Sequence, residues 1–275
     1  MNKKFETWLI FIFLSLFTLA TLYPVLNIIS ISLRTDNAFE TQSLSLFTSE
    51  SSLGSYKTLF TDTSFLKWAW NSFIVTFVVT LTGVALASTS GYALSRFNFK
   101  GRQFGMLSLL TTQMFPATML LLPFFILLSK IGLINSYIGL IIIYSSTALP
   151  FCIWQMKGYY DTIPVSLEES ARLDGCNRFQ TFYKIILPLS KPALVITALF
   201  SFMSSWSEYV VAAIILQDPE LYTLPLGLKS FQASLATQWG LYAAGAVVVS
   251  IPVTILFISL AKYLVSGLTI GSVKG

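Results

Sequence analysis

The chain has 275 residues, of which 55% are hydrophobic and only 11% are charged, and it contains no histidine. Soluble domains carry about 25% charged residues, so this composition excludes most soluble folds and favours a membrane protein. The absence of histidine excludes the Ser-His-Asp triad and histidine-based metal sites, and two cysteines cannot form a four-cysteine zinc site. The net charge of +5 comes from basic residues scattered between apolar runs, which does not indicate a nucleic-acid surface.

Long apolar runs along the chain predict six transmembrane helices. A helix needs about 20 apolar residues to cross the bilayer core, and backbone amides inside lipid must be hydrogen-bonded within the segment. The period-two alternation of a transmembrane barrel does not appear in these runs. The predicted spans are residues 8–32, 68–94, 104–129, 137–156, 193–216 and 239–265. The predicted fold class is all-α, with residues 1–275 forming a single polytopic membrane domain.

The lysines and arginines between these spans predict the orientation of the chain. Six spans place both termini on one side, and that side carries more than twice as many basic residues as the other. Because basic residues are enriched in cytoplasmic loops, both termini are predicted to be cytoplasmic. The segment Arg34–Lys67 is then predicted to lie outside.

The loop at residues 157–192 predicts two short helices around a glycine turn. Glu168 and Glu169 fall in the first turn of the first helix, where the positive end of the helix dipole favours acidic side chains. Gly175 is placed to end that helix, and Asn177 is placed to cap the second one. Such a loop would present a rigid protrusion to another protein.

The same loop carries a longer pattern: Glu169-Ser170-Ala171, three residues, Gly175, nine residues, then Ile185-x-Leu187-Pro188. This pattern resembles the EAA coupling motif of ABC-importer permeases, with Ser170 in place of the usual alanine. The resemblance implies that the loop docks on a separate ATP-hydrolysing subunit. The coupling residues that it implies are Glu168, Glu169, Ser170, Ala171, Asp174, Gly175, Ile185, Leu187 and Pro188. The alternative is a pair of amphipathic helices at the membrane interface without a partner.

Three further stretches are similar to the carbohydrate-uptake branch of this family, namely Asn71-Ser72, residues 91–96 and residues 206–209. The end of the chain looks like the tail of the second membrane subunit of maltose importers. The resemblance implies an ABC importer type I permease fold in the bacterial cytoplasmic (inner) membrane. It also implies three partners: a second, unlike permease subunit, a homodimeric ABC ATPase and an extracytoplasmic sugar-binding protein.

Two contact surfaces follow from the same resemblance. The tail at residues 266–275 would reach the ATPase dimer through Gly271, Ser272, Val273, Lys274 and Gly275. The last outer loop would contact the binding protein through Ser234, Thr237, Gln238 and Trp239. For the tail, the alternative is a solvated chain end.

The sequence does not indicate an enzyme, because it contains no Walker A pattern. No cofactor is expected on this chain, and ATP and Mg²⁺ would be used by the partner ATPase. The implied function is translocation of an oligosaccharide, maltose or maltodextrin, by alternating access. The alternatives are another sugar or a glycerol-phosphate-type solute on the same architecture, or a secondary transporter that works alone.

A polar stripe on the predicted fifth helix is the candidate translocation path. Ser201, Ser204, Ser205 and Glu208 follow the i, i+3, i+4, i+7 spacing of one helical face. A carboxylate at bilayer depth costs several kcal/mol unless it is paired or wet, so this face is expected to avoid lipid. The hypothesis is that the stripe lines the path. The alternative is that Glu208 lies near the outer boundary and bonds to another helix for assembly.

Overall fold

A computed structural model of the chain describes residues 3–35, 51–232 and 237–270, and every regular element in these ranges is helical. Two 3-10 turns, Ala117–Leu120 and Pro219–Leu221, and one π-helical turn, Phe182–Ile186, interrupt or join the α-helices. In chain order the α-helices are α1 (Lys3–Ser32), α2 (Gly54–Thr61), α3 (Phe65–Arg96), α4 (Arg102–Gln113), α5 (Leu121–Lys130), α6 (Tyr137–Thr162), α7 (Ser166–Leu173), α8 (Arg178–Thr181), α9 (Leu187–Leu189), α10 (Lys191–Trp206), α11 (Val210–Ile215), α12 (Leu224–Lys229) and α13 (Trp239–Ile270).

Among the described residues, four helices are long and apolar enough to cross a membrane: α1, α3, α6 and α13. They coincide with four of the six predicted spans. The most exposed of them is α1, whose apolar side chains point outward on all sides. A helix that is apolar all round suits lipid or a neighbouring helix rather than water.

The other two predicted spans are interrupted helices. Residues 104–129 fall on α4 and α5, and the axis bends there by 96°. Pro116 lies in the gap, where its ring removes a backbone donor and cannot continue a regular helix. The sequence predicts an unbroken helix over residues 193–216, but the structure ends α10 at Trp206 and begins α11 at Val210. The 16 residues of α10 reach about 24 Å, which is less than the roughly 30 Å of a bilayer core.

The described chain divides into two compact units. The first comprises Met1–Lys67 and Gly227–Pro252, as far as these are described. Within it, the end of α1 is buried, and the Ser32 hydroxyl bonds to the Tyr56 hydroxyl of α2 at 2.8 Å. The single membrane domain that the sequence predicts stays a prediction.

The second unit comprises Trp68–Leu226 and Val253–Gly275, as far as these are described, and within it α6 packs against α3, α4 and α10. The helices α3 and α6 approach closely at Gly91, where an added Cβ would lie 2.9 Å from the Cβ of Met156. Met156 belongs to one of two apolar clusters in this unit. One contains Val75, Val79, Leu128, Leu140, Ile143, Tyr144, Val211, Ala212 and Ile215, and the other contains Ala87, Tyr92, Cys152, Ile153, Met156, Tyr160, Ile163, Ile186 and Ala193.

Candidate functional site

The first short helix of the 157–192 loop, α7, ends where the sequence predicts. Gly175 follows α7 with φ of 89°, a left-handed conformation that favours glycine. The Cys176 N–H donates to the Ala171 carbonyl at 2.9 Å, and the Gly175 N–H donates to the Arg172 carbonyl at 3.0 Å. These two bonds form a Schellman motif, which satisfies the last carbonyls of the helix. The predicted helix stop at Gly175 is confirmed.

The second helix of the loop begins with the predicted cap. The Asn177 side-chain oxygen accepts a hydrogen bond from the Gln180 N–H at 2.9 Å. In return, the Gln180 side-chain oxygen accepts from the Asn177 N–H at 2.9 Å. This reciprocal capping box satisfies two backbone donors at the start of α8. The two short helices are therefore held in place by the chemistry of a few adjacent residues.

The inner side of the loop is bound to the end of α3 through Glu168. The Glu168 side chain is only 2% exposed, and one carboxylate oxygen accepts from the Arg96 Nε–H at 2.5 Å. The other oxygen accepts from the Tyr92 hydroxyl at 2.8 Å. Arg96 also donates through Nη2 to the Ile163 carbonyl at 2.8 Å. A buried carboxylate needs such partners, because an unpaired charge in the interior is costly.

A second polar contact joins the ends of α3 and α6 beside this ion pair. The Ser95 hydroxyl donates to one carboxylate oxygen of Asp161 at 2.6 Å. Lys157, one turn earlier on α6, donates to the other oxygen at 2.6 Å. Unlike Glu168, the Asp161 side chain is 40% exposed, so water screens this contact.

The outer side of the loop is exposed and largely apolar. Leu173 is 90% exposed, Phe179 75% and Tyr183 62%, and Leu167 also faces outward. Exposed apolar side chains grouped in this way are typical of a surface that binds another protein. We call the exposed side chains of Leu167, Leu173, Phe179 and Tyr183 the outer loop surface.

The residues that the motif implies for coupling divide between the two sides of the loop. Exposed are Glu169, Ser170, Asp174, Gly175 and Pro188; half-buried are Ile185 and Leu187; buried are Glu168 and Ala171. Glu168 therefore contacts its own chain rather than facing outward. Its partners Tyr92 and Arg96 were not predicted as site residues. They lie in the 91–96 stretch that resembles the family, yet nothing in the spacing of the sequence pairs them with Glu168.

Glu208 does not lie on the helical face that the sequence predicts. Because α10 ends at Trp206, the carboxylate of Glu208 is free to turn toward the start of α11. It accepts from the Val211 N–H at 2.9 Å and the Ala212 N–H at 3.2 Å. It also accepts from the Tyr144 hydroxyl of α6 at 2.6 Å. The prediction of one continuous polar stripe is wrong at this residue, since the side chain caps a new helix instead.

The three serines of the proposed stripe are also divided by the packing. Ser201 is fully buried and donates to the Val79 carbonyl of α3 at 3.3 Å. Ser205 is 6% exposed and donates to the Ser201 carbonyl at 2.8 Å. Ser204 alone among the three is exposed. The buried pair therefore contacts its own chain, whereas Ser204 is accessible.

The last outer loop is described in part. The Gln238 N–H donates to the Phe231 carbonyl at 3.0 Å, and the Gln238 side chain is exposed beside a cavity of about 240 Å³. Thr237 and Trp239 flank it and are half-buried. Ser234 and the tail residues Gly271, Ser272, Val273, Lys274 and Gly275 lie outside the described residues. The cavity is lined by Arg34, Thr35, Ser55, Thr58, Gln238, Gly240 and Leu241.

The chain is similar over its whole length to permease proteins of sugar transport systems. It is 36% identical over 268 residues to the maltodextrin transport system permease protein MdxG of Bacillus subtilis, covering 96% of this chain and 95% of that protein. It is 37% identical over 292 residues to the maltose/maltodextrin transport system permease protein MalG of Vibrio vulnificus, covering 100% and 98%. The galactooligosaccharides permease protein GanQ of Bacillus subtilis is also 37% identical, over 270 residues, covering 96% and 94%.

A solved structure confirms the predicted all-α importer permease fold. The chain superposes with a TM-score of 0.83 and 27% identity on a chain of a bacterial ABC transporter involved in the import of the acidic polysaccharide alginate, covering 95% of this chain and 97% of that one. The relatives of this chain are permease proteins, so the chain is a membrane transport component and not an ATPase. Residues 83–270, which include the whole loop, match the family described as "Binding-protein-dependent transport system inner membrane component". The chain belongs to this family.

Proposed function

We propose that this chain is a permease subunit of an ABC importer that moves an oligosaccharide across the bacterial inner membrane by alternating access. The observation that carries the proposal is the outer loop surface, an exposed apolar face on a loop that contains the coupling pattern with Ser170 in place of alanine. Within one chain, such a surface has no role in burying the core, and it suits docking on another protein. Ligand-driven changes in that partner then reach the membrane helices through this loop.

The partner is a separate ATPase, and this chain contributes the docked shape. Leu173 and Phe179 are the most exposed apolar side chains of the loop, so they are the anchors that would fill apolar pockets on the ATPase. Glu169 is exposed next to them and supplies a charge at the edge of the contact. ATP and Mg²⁺ are used by that subunit. In this assembly the ATPase is a homodimer and the second permease is an unlike chain.

The tail, the last outer loop and the translocation path are assigned in the same proposed assembly. Both termini face the cytoplasm, so the tail residues 271–275 reach the ATPase dimer. The loop that contains Ser234, Thr237, Gln238 and Trp239 faces outward and contacts the sugar-binding protein. The exposed hydroxyl of Ser204, close to the interruption between α10 and α11, borders the path. Interrupted helices at membrane depth are a common way to build such a path.

The proposed substrate is maltose or maltodextrin. The support is the similarity to the maltodextrin permease MdxG and to the maltose/maltodextrin permease MalG, each over nearly the full length of both chains. A second candidate is a galactooligosaccharide, because GanQ is as similar as MalG at 37% identity. Both candidates are short chains of sugars, so the same polar contacts serve either.

A reconstituted complex tests the proposal. The chain is co-expressed with the products of its neighbouring genes, purified, and placed in vesicles with the binding protein. We expect an ATPase to co-purify and its hydrolysis to rise when maltotriose is added. A rise with galactooligosaccharides and none with maltotriose would support the second candidate. Sugar uptake by vesicles that contain this chain alone, driven by an ion gradient, would contradict the proposal and indicate a secondary transporter.

A further inference from the structure

We propose that Arg96 is a positioning residue for coupling. Through Glu168 it fastens α7, the first helix of the docking loop, to the C-terminal end of the long helix α3. When the loop is displaced, α3 then moves with it as one body. This inference rests on the proposed function, because it concerns how movement of the docked loop reaches the membrane helices.

The side chain of Arg96 makes three separate attachments. It donates to Glu168 at 2.5 Å, to the Ile163 carbonyl at 2.8 Å and to the Ser95 hydroxyl at 3.1 Å. The Arg96 side chain is 9% exposed and that of Glu168 2%. A planar guanidinium can hold several acceptors in fixed directions, whereas a lysine ammonium acts as a point charge. The contact therefore fixes both the distance and the angle between the two helices.

The Arg96 contacts connect α3 to the loop, although α3 is not adjacent to the loop along the chain. The loop continues directly from α6 and into α10, so displacement would act on those two helices through covalent bonds. Between α6 and α7 the backbone is extended at Ile163, whose N–H bonds back to the Tyr160 carbonyl at 3.1 Å and whose own carbonyl lies outside both helices. Arg96 donates to the Ile163 carbonyl, at this extended link, and to the Glu168 carboxylate in the helix that follows it. Without Arg96, α3 would keep only the Tyr92 hydroxyl on Glu168 and the Tyr92–Phe182 ring contact, which leave the loop freer to tilt at Ile163.

The burial of the pair explains why it can transmit movement. The neighbouring Lys157–Asp161 pair is more accessible, since the Asp161 side chain is 40% exposed, so water screens it more and it contributes less. Glu168 also accepts from Tyr92, so every oxygen of its carboxylate has a partner. Separating the pair would leave two buried charges unpaired, which strongly opposes relative movement of α7 and α3.

The test measures ATP hydrolysis and sugar uptake in the same vesicles that contain the whole importer. The variants are Arg96→Gln, Arg96→Lys and Glu168→Gln, and the control is Arg102→Gln, which removes an arginine that donates to the Asn98 side chain at 2.8 Å, outside the Arg96 network. We expect Arg96→Gln and Glu168→Gln to raise the ATP used per sugar about fivefold, a typical size for the loss of one coupling contact. Arg96→Lys is expected to fall between wild type and Arg96→Gln, and the control to keep the wild-type ratio.

A role limited to folding would give a different result. It would lower the amount of assembled complex and leave the ratio of ATP to sugar unchanged in the complex that remains. That outcome, or a normal ratio in Arg96→Gln and Glu168→Gln together with normal assembly, would overturn the inference. If instead the wild-type complex showed no sugar-stimulated hydrolysis, the proposed function itself would fail. The two failures are therefore distinguished by the wild-type measurement.

Discussion

Replacement of Gly175 tests whether the shape of the docking loop depends on one backbone conformation. Gly175 has φ of 89°, and an added Cβ would meet no atom within 4 Å. Alanine therefore introduces no clash, and its whole cost comes from holding an L-residue in the left-handed region, roughly 1–2 kcal/mol. Asparagine adopts this region more easily, so Gly175→Asn should cost less. Gly175→Leu carries the alanine penalty with a larger side chain on the exposed surface.

The expected effect on docking follows from that energy. If the full 1–2 kcal/mol opposes the docked shape, the affinity of the loop for the ATPase falls about five- to thirtyfold. The assay titrates purified ATPase against the permease complex and records binding together with sugar-stimulated hydrolysis. The expected order of affinity is wild type, Gly175→Asn, Gly175→Ala, Gly175→Leu.

Gly158 provides the matched control for this experiment. It lies exposed on α6, an added Cβ there also meets nothing within 4 Å, and its φ is not in the left-handed region. In a helix, alanine is favoured over glycine by up to about 1 kcal/mol, so Gly158→Ala should bind the ATPase as well as wild type. Wild-type affinity in Gly175→Ala, or an equal loss in Gly158→Ala, would refute the reasoning.

Three further changes test other parts of the structure. Gly91→Ala would place a Cβ 2.9 Å from the Cβ of Met156, and such overpacking costs about 1–3 kcal/mol. Thermal unfolding of the purified complex should therefore begin at a lower temperature. An unchanged unfolding curve would contradict the close approach of the two helices. Glu208→Leu removes the acceptor of three hydrogen bonds, whereas Glu208→Gln keeps one amide oxygen. The leucine variant should therefore give less assembled complex and slower transport than the glutamine variant. Equal losses would argue against the role of Glu208 in capping α11. In a background without the native cysteines, cysteine at Ser51 should react with an impermeant thiol reagent in intact cells and cysteine at Ser272 should not; the reverse pattern would invert the orientation.

Local hydrogen bonding made the shape of the loop at residues 157–192 predictable from the sequence. The stop at Gly175 and the cap at Asn177 depend on hydrogen bonds between residues at most five positions apart. Backbone conformation and side-chain length decide such bonds, and both can be read from the residue types. The four long apolar helices were predictable for a similar reason, because length and hydrophobicity alone indicate a membrane span.

The interruptions of the other two spans were harder to predict. The stretch from 193 to 216 is mostly apolar on both sides of Ser207 and Glu208, and the polar residues fit one helical face, so the pattern indicates one helix. The structure ends α10 at Trp206, and beyond that break Glu208 accepts from two N–H groups of α11 and from the Tyr144 hydroxyl. Tyr144 lies on α6, and the pairing depends on the two helices being neighbours.

The sequence by itself determined the membrane class, the helical content and the shape of the loop at residues 157–192. Only the tertiary structure decided that Glu168 faces inward while Glu169 faces outward, although both occupy the same helical turn. The partner of Glu168 is Arg96, which lies 72 positions earlier in the chain. Two adjacent carboxylates look alike in a sequence. They differ in the fold because the packing of α3 against α6 brings one cation to one side of the loop, and a buried charge is stable only where such a cation lies.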